Sequence, residues 1–174
     1  MHYNQKNKQT GFTVVELMIT ILIGGILMAI AMPGFRGMQR NNCMTTSTNQ
    51  MIVSLNLARS EAAKFNDSVN ISAINAADAN NEWGDGWTVW RDLDNDNTQD
   101  ANEVIYRSDL NCPGISMNDT GNDGMYVYGG DGFIDSAATV QVCDGDTTVS
   151  GERGRQITVS TTGRPSVNSQ FTCS

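Results

Sequence analysis

The chain has 174 residues, 39% of them hydrophobic, and its 19 acidic against 11 basic side chains give a net charge of −8. That length holds one ordinary domain plus a membrane segment rather than two full domains, and an acidic surface disfavours phosphate backbones as partners. The single histidine, His2, lies in a segment read below as removed, so a histidine base or a histidine zinc ligand has no candidate in the mature chain.

Residues Met1 to Gly11 are polar and carry Lys6 and Lys8; from Phe12 the chain turns apolar as FTVVELMITILIGGILMAIAM, ending at Pro33. At 1.5 Å per residue this stretch makes a helix of about 31 Å, which matches a bilayer's hydrocarbon core. Basic residues ahead of it keep the leader in the cytoplasm and place the C-terminal bulk outside. Glu16 is out of place there: a carboxylate costs about 2.5–3.5 kcal/mol near the bilayer centre and less at the edge, so it requires a partner. No Lys or Arg stands along the span, leaving headgroup water or a positive group on another molecule, such as an amino terminus freed before Phe12. An ordinary secretory signal, cut after Ala29-Ile30-Ala31, is the alternative; it leaves Glu16 and the Gly11-Phe12 junction without a purpose.

Pro33, Gly34 and Gly37 predict a kink or a locally unwound joint. Beyond it, Met44, Met51, Leu55, Ala58, Ala62 and Phe65 recur at helical spacing, with Asn49, Ser54, Arg59, Ser60 and Lys64 elsewhere on the wheel. Residues 13–65 therefore predict one long helix, half membrane span and half scaffold with a single buried stripe. Strands are predicted at Val69–Ile74, Trp87–Arg91, Val104–Arg107, Met125–Tyr128, Thr139–Val142, Gln156–Ser160 and Val167–Thr172, between clusters of Asp, Asn and Gly. A helix followed by antiparallel strands is an α+β arrangement.

Four scattered cysteines in an exported chain favour two disulfides over free thiols. Three pairings are open; Cys143 with Cys173, which would pin the last strands, and Cys43 with Cys112, which would tie helix to sheet, are favoured. Asp92, Asp94, Asp96, Thr98, Asp100 and Glu103 occupy positions 1, 3, 5, 7, 9 and 12 of an EF-type calcium loop, with Asn97 where glycine makes the turn. Calcium is one reading of that pattern. The other is a solvated hairpin, its five carboxylates repelling one another and leaving it mobile.

The stretch KNKQTGFTVVELMITILIGGILMAIAMPGF resembles the processing signal of type IV pilins and pseudopilins. The resemblance implies cleavage after Gly11 by a prepilin peptidase, methylation of Phe12, and pairing of Glu16 with a neighbour's amino terminus during assembly. It implies three parts: a leader at 1–11, a transmembrane and assembly helix at 12–33, and a periplasmic head at 34–174. NNCMTTSTNQMIVSLNLARSEAAKFN, GWTVWRDLDNDNTQDANEVIYR and ITVSTTGRPSVNSQFTC resemble the GspH/FimT family of minor pilins and pseudopilins, and the cysteines near the end are more similar to FimU- and FimT-like pilins. The type IV pilin fold is implied, with a long N-terminal helix packed on an antiparallel sheet. So is a role as a minor pilin priming pilus assembly in a tip complex, with an H-type pseudopilin of type II secretion as the alternative. The implied partners are other minor and major pilins or pseudopilins, the prepilin peptidase and the inner-membrane assembly platform, with no enzymatic activity and no certain cofactor.

DNA-binding relatives are expected to use a Gly-Arg-x-Arg element. Here Gly163-Arg164-Pro165-Ser166 lacks the second arginine, although Arg153 and Arg155 lie nearby. Losing Lys6 and Lys8 leaves nine basic against 19 acidic side chains, a net of −10, so DNA binding is disfavoured and a tight turn with a solvated Arg164 is the simpler reading.

Overall fold

The computed structural model describes residues 11–78, 81–110, 112–121, 123–145 and 154–173. Residues 1–10 of the expected leader at 1–11, and Arg153, lie outside them. Two compact units are present, residues 1–39 and 40–174. The first contributes the N-terminal part of α1 (Val14–Phe65), and Val14–Met32 has a mean hydropathy of 2.5 with none of it buried. The helical backbone runs on through Pro33, Gly34 and Gly37, so the locally unwound stretch expected there is not formed. Proline removes one amide donor, and the turns on either side keep theirs.

The second unit holds the rest of α1 and eight strands: β1 (Val69–Ala73), β2 (Gly86–Trp90), β3 (Val104–Asp109), β4 (Ile115–Asp119), β5 (Met125–Tyr128), β6 (Ala138–Asp144), β7 (Gly154–Val159) and β8 (Pro165–Phe171). They form two antiparallel four-stranded sheets, ordered β3-β2-β1-β5 and β4-β6-β7-β8. This is the expected α+β class, with the strands divided into two sheets. The strand missing from the sequence expectation is β4, whose five residues alternate Ile115, Met117 and Asp119 inward with Ser116 and Asn118 less buried.

Helix α1 stops where Asn66 takes a left-handed conformation, φ 52°, and the Asp67 amide donates back to the Ala62 carbonyl at 3.2 Å. That six-to-one bond is a Schellman ending, and it turns the chain into β1. Met44, Met51, Leu55, Ala58 and Ala62 are buried as the periodicity requires. They share one core with Val69, Ile71, Trp87 and Val89 of the first sheet and Met117, Val140, Val142, Ile157 and Val159 of the second. Two stripe assignments change. Phe65 is 43% exposed, with Lys64 and Arg91 over its ring at 4.7 and 4.1 Å, because the helix outruns the core at its last turn. Ser54, expected on the solvent side, is fully buried, and Ser47 and Thr48 are buried too. Ser47 and Thr48 donate their hydroxyls to the carbonyls of Cys43 and Met44, which lets small polar residues sit inside.

Disulfides join Cys43 to Cys112, with Cα atoms 5.9 Å apart, and Cys143 to Cys173, 6.0 Å apart. The first ties α1 to the segment before β4, and the second ties β6 to the chain after β8. An Arg40–Asp144 ion pair at 3.3 Å and a 3.0 Å bond from Arg59 Nε to the Gly132 carbonyl add further ties between α1 and the head.

Candidate functional site

At the start of α1, Thr13 and Glu16 form a reciprocal cap. The Glu16 amide donates to Thr13 Oγ1 at 3.2 Å, and Glu16 Oε2 accepts from the Thr13 amide at 3.1 Å and its hydroxyl at 3.0 Å. This is the Thr-x-x-Glu capping box, which satisfies amide donors left over at a helix start. These bonds orient the Glu16 carboxylate and leave its charge uncompensated; the box is a local signal the sequence reading passed over. Gly11 and Phe12 precede the cap and are exposed. From Val14 to Met32 the large apolar side chains face outward, and a helix of that kind is accommodated only by lipid or by other helices.

In the head, the acidic loop between β2 and β3 is built around its own carboxylates. Asp92 accepts from the amides of Asn95 at 2.7 Å and Asn97 at 2.9 Å, and both asparagines are left-handed, φ 63° and 61°. Asn97 therefore makes the turn that glycine would make at that place. Asp96 Oδ1 accepts from the Thr98 amide and hydroxyl at 2.7 and 2.6 Å, bonds that hold its pKa below the ordinary value. Asp94 is shifted upward by local desolvation and by the Asp96 charge. Glu103 is buried, and its two oxygens accept from the Leu93 amide at 2.6 Å and the Asp100 amide at 3.0 Å. Gln99 reaches back to the hydroxyls of Ser72 and Thr88 on the sheet.

Of the six proposed calcium ligands, Asp92, Asp94 and Asp96 converge, with one oxygen from each within 4.8 Å of the others. Thr98 is turned to Asp96, and Glu103 staples the two ends of the loop together. A divalent cation would find three carboxylates, with the closing carboxylate already engaged by backbone amides.

Of the C-terminal basic residues, Arg155 and Arg164 are among those described, and their settings differ. Arg164 is exposed beside Gly163, a buried turn residue at φ 74°, whereas Arg155 donates to Thr45 Oγ1 of α1 at 2.8 Å. A second acidic group escaped the sequence reading altogether. Glu82 is 1% and Asp119 4% exposed, and Glu82 Oε2 accepts from the Asp119 amide at 3.2 Å. Desolvation raises the Glu82 pKa, and the charges of Asp119, Asp123 and Asp78 add to it; burial and Asp119 likewise raise that of Tyr126. Around this group the Trp83 amide donates to the Met117 carbonyl at 3.0 Å, and the Asn81 side chain accepts from the Met117 amide at 2.8 Å. Trp83 stacks on Tyr126 with ring centroids 5.1 Å apart. Residues 81–83 thereby clasp the β4 edge of one sheet to β5 of the other. Nothing in the local pattern NNEWGD marks a buried carboxylate.

A capped, outward-facing apolar N-terminal helix leading into an α+β head of antiparallel sheets defines a pilin-like, membrane-anchored structural subunit. The model of the prokaryotic N-terminal methylation motif matches residues 6–32, and that of type II transport protein GspH matches residues 47–163. The chain belongs to the GspH family of pilin and pseudopilin subunits, which are structural proteins rather than enzymes. Two crystal structures of the type IV minor pilin FimU from Pseudomonas aeruginosa PAO1 are similar to it. One has a TM-score of 0.61 at 17% identity, covering 74% of this chain and 90% of that one. The other has 0.58 at 18% identity, covering 72% and 93%. At such identities the likeness is one of fold, and the fold is that of a type IV pilin. No curated protein matches the chain.

Proposed function

We propose that the chain is a minor type IV pilin. In this reading a prepilin peptidase cuts after Gly11 and Phe12 is methylated. Residues 12–33 anchor the subunit in the inner membrane with the head, residues 34–174, in the periplasm. The assembly platform then moves it into a pilus, where it primes assembly with other minor and major pilins at the tip. The observation that carries this reading is the position of Glu16. It is the fifth residue counted from Phe12, in the capping turn of a helix whose apolar side chains are unburied from Val14 to Met32. On leaving the bilayer those side chains must pack against other spans. A neighbour's cationic amino terminus would then neutralise Glu16 where water is excluded.

Two substitutions separate capping from charge. Glu16→Gln keeps an acceptor for the Thr13 amide and removes the charge, whereas Glu16→Ala removes both. Both variants are expected to enter the membrane and to fall roughly tenfold or more in filament incorporation, the cost of an unpaired buried charge on the neighbour. Wild-type incorporation of Glu16→Gln would refute charge pairing. The H-type pseudopilin reading is favoured by the description of the matching family, a type II transport protein. Deleting the gene distinguishes the two: loss of surface pili with secretion intact supports the pilin, and loss of protein secretion supports the pseudopilin.

A further inference from the structure

The sheet face turned away from α1 carries a polar cavity of about 280 Å³. In β1, Val69 and Ile71 point into the core, so Asn70 and Ser72 point outward. Register places Trp90 and Val127 on either side of Asn70, and Met125 beside Ser72. These residues make the floor, and the Trp90 indole is fixed there by a 3.0 Å bond from Nε1 to Ser72 Oγ. Asp92, Asn95 and Asn97 of the acidic loop form one wall, and Asp67, in the turn after α1, the other. The loop wall is braced from behind by Glu103 and Gln99, so the cavity does not depend on a freely moving segment.

We propose that this cavity binds one ring of a neutral polyhydroxylated ligand, the chemistry of a sugar residue. Asn70, Asn95 and Asn97 make no side-chain hydrogen bond among the described residues, so three carboxamides present both a donor and an acceptor to the cavity. Hydroxyl groups match both halves of an amide. A cation uses only oxygens, so the three NH₂ groups would take no part in holding it. An anion would face Asp67 and Asp92 with no basic residue in the lining. Exposed Met125, half-buried Val127 and the small uncovered part of Trp90 supply the apolar floor on which the C–H face of a ring rests. The volume lies just under the roughly 300 Å³ where ordinary ligand pockets begin, which suits one ring rather than a large cofactor.

The test uses the full chain in a zwitterionic detergent without a sugar headgroup. Methyl glycosides of glucose, galactose and N-acetylglucosamine are titrated separately while the side-chain amide NMR signals of Asn70, Asn95 and Asn97 are followed. At least one glycoside is expected to move these signals saturably, with a Kd of about 1 mM, in keeping with a ligand of so few atoms. Asn70→Ala is expected to weaken that binding about tenfold or more, as loss of one well-made polar contact does. Asn95→Gly and Asn97→Gly, which keep the left-handed backbone, provide the same test without risk to the strand. The proposal is overturned if no glycoside moves the three signals, if the asparagine variants bind as wild type, or if calcium chloride moves them and the glycosides do not.

Discussion

Removing the Cys43–Cys112 bridge is expected to destabilise the head mainly by freeing the unfolded chain. The two cysteines are 69 residues apart, and closing a loop of that length costs the unfolded ensemble about 4.4 kcal/mol of conformational entropy at 25 °C. The Cys143–Cys173 loop spans 30 residues and on the same footing contributes about 3.6 kcal/mol. Paired alanine substitutions at each bridge should therefore lower stability by roughly these amounts, with the longer loop costing about 0.7 kcal/mol more. Urea unfolding of the full chain in detergent, followed by the fluorescence of the buried Trp83 and Trp87, reads the change directly. The denaturant slope should rise in both variants, because an uncrosslinked chain exposes more surface when it unfolds. A loss under about 1 kcal/mol for Cys43→Ala/Cys112→Ala, with an unchanged slope, would refute the loop-entropy reasoning.

The buried acidic clasp predicts a pH dependence. Burial raises the folded pKa of Glu82 above the ordinary carboxyl value of 4.5, so its contribution to stability is complete below that pH and is lost as pH rises through the folded value. Glu82→Gln keeps the acceptor for the Asp119 amide and cannot ionise. Its advantage over the wild type should be absent near pH 4 and grow by at most about 1.4 kcal/mol per pH unit, as unfolding series across pH will show; parallel profiles would disprove it. Gly163→Ala should cost about 1–2 kcal/mol or more, measured by thermal unfolding. A Cβ there meets the Gly132 carbonyl and, at 2.9 Å, the Tyr128 ring, at a φ of 74° that alanine resists. Glu103→Ala should release the acidic loop, seen as faster amide exchange at Leu93 and Asp100 with the sheet amides unchanged.

What could be read from sequence was whatever repeats or terminates locally. The apolar run after Gly11-Phe12, the 3.6-residue recurrence from Met44 to Ala62 and the short alternating strands each follow from bonds and side-chain directions within a few residues. Asn97 was legible for the same reason, as a turn residue that accepts a left-handed backbone. The Thr13–Glu16 box was equally local and could have been seen.

Tertiary structure alone decided which distant segments meet. Sequence left three cysteine pairings open and treated the strands as one set; only the packed head separates β3-β2-β1-β5 from β4-β6-β7-β8. Phe65 belongs to the helical stripe by periodicity, yet it emerges from the core at the last turn of α1, where the cationic side chains of Lys64 and Arg91 lie over its ring in place of apolar partners. Glu82 and Asp119 are charged residues in turn-like surroundings, and they are buried because residues 81–83 fold onto the edge of a strand more than thirty positions away. Periodicity tells which face of an element is apolar, whereas burial depends on the partner that arrives to cover it.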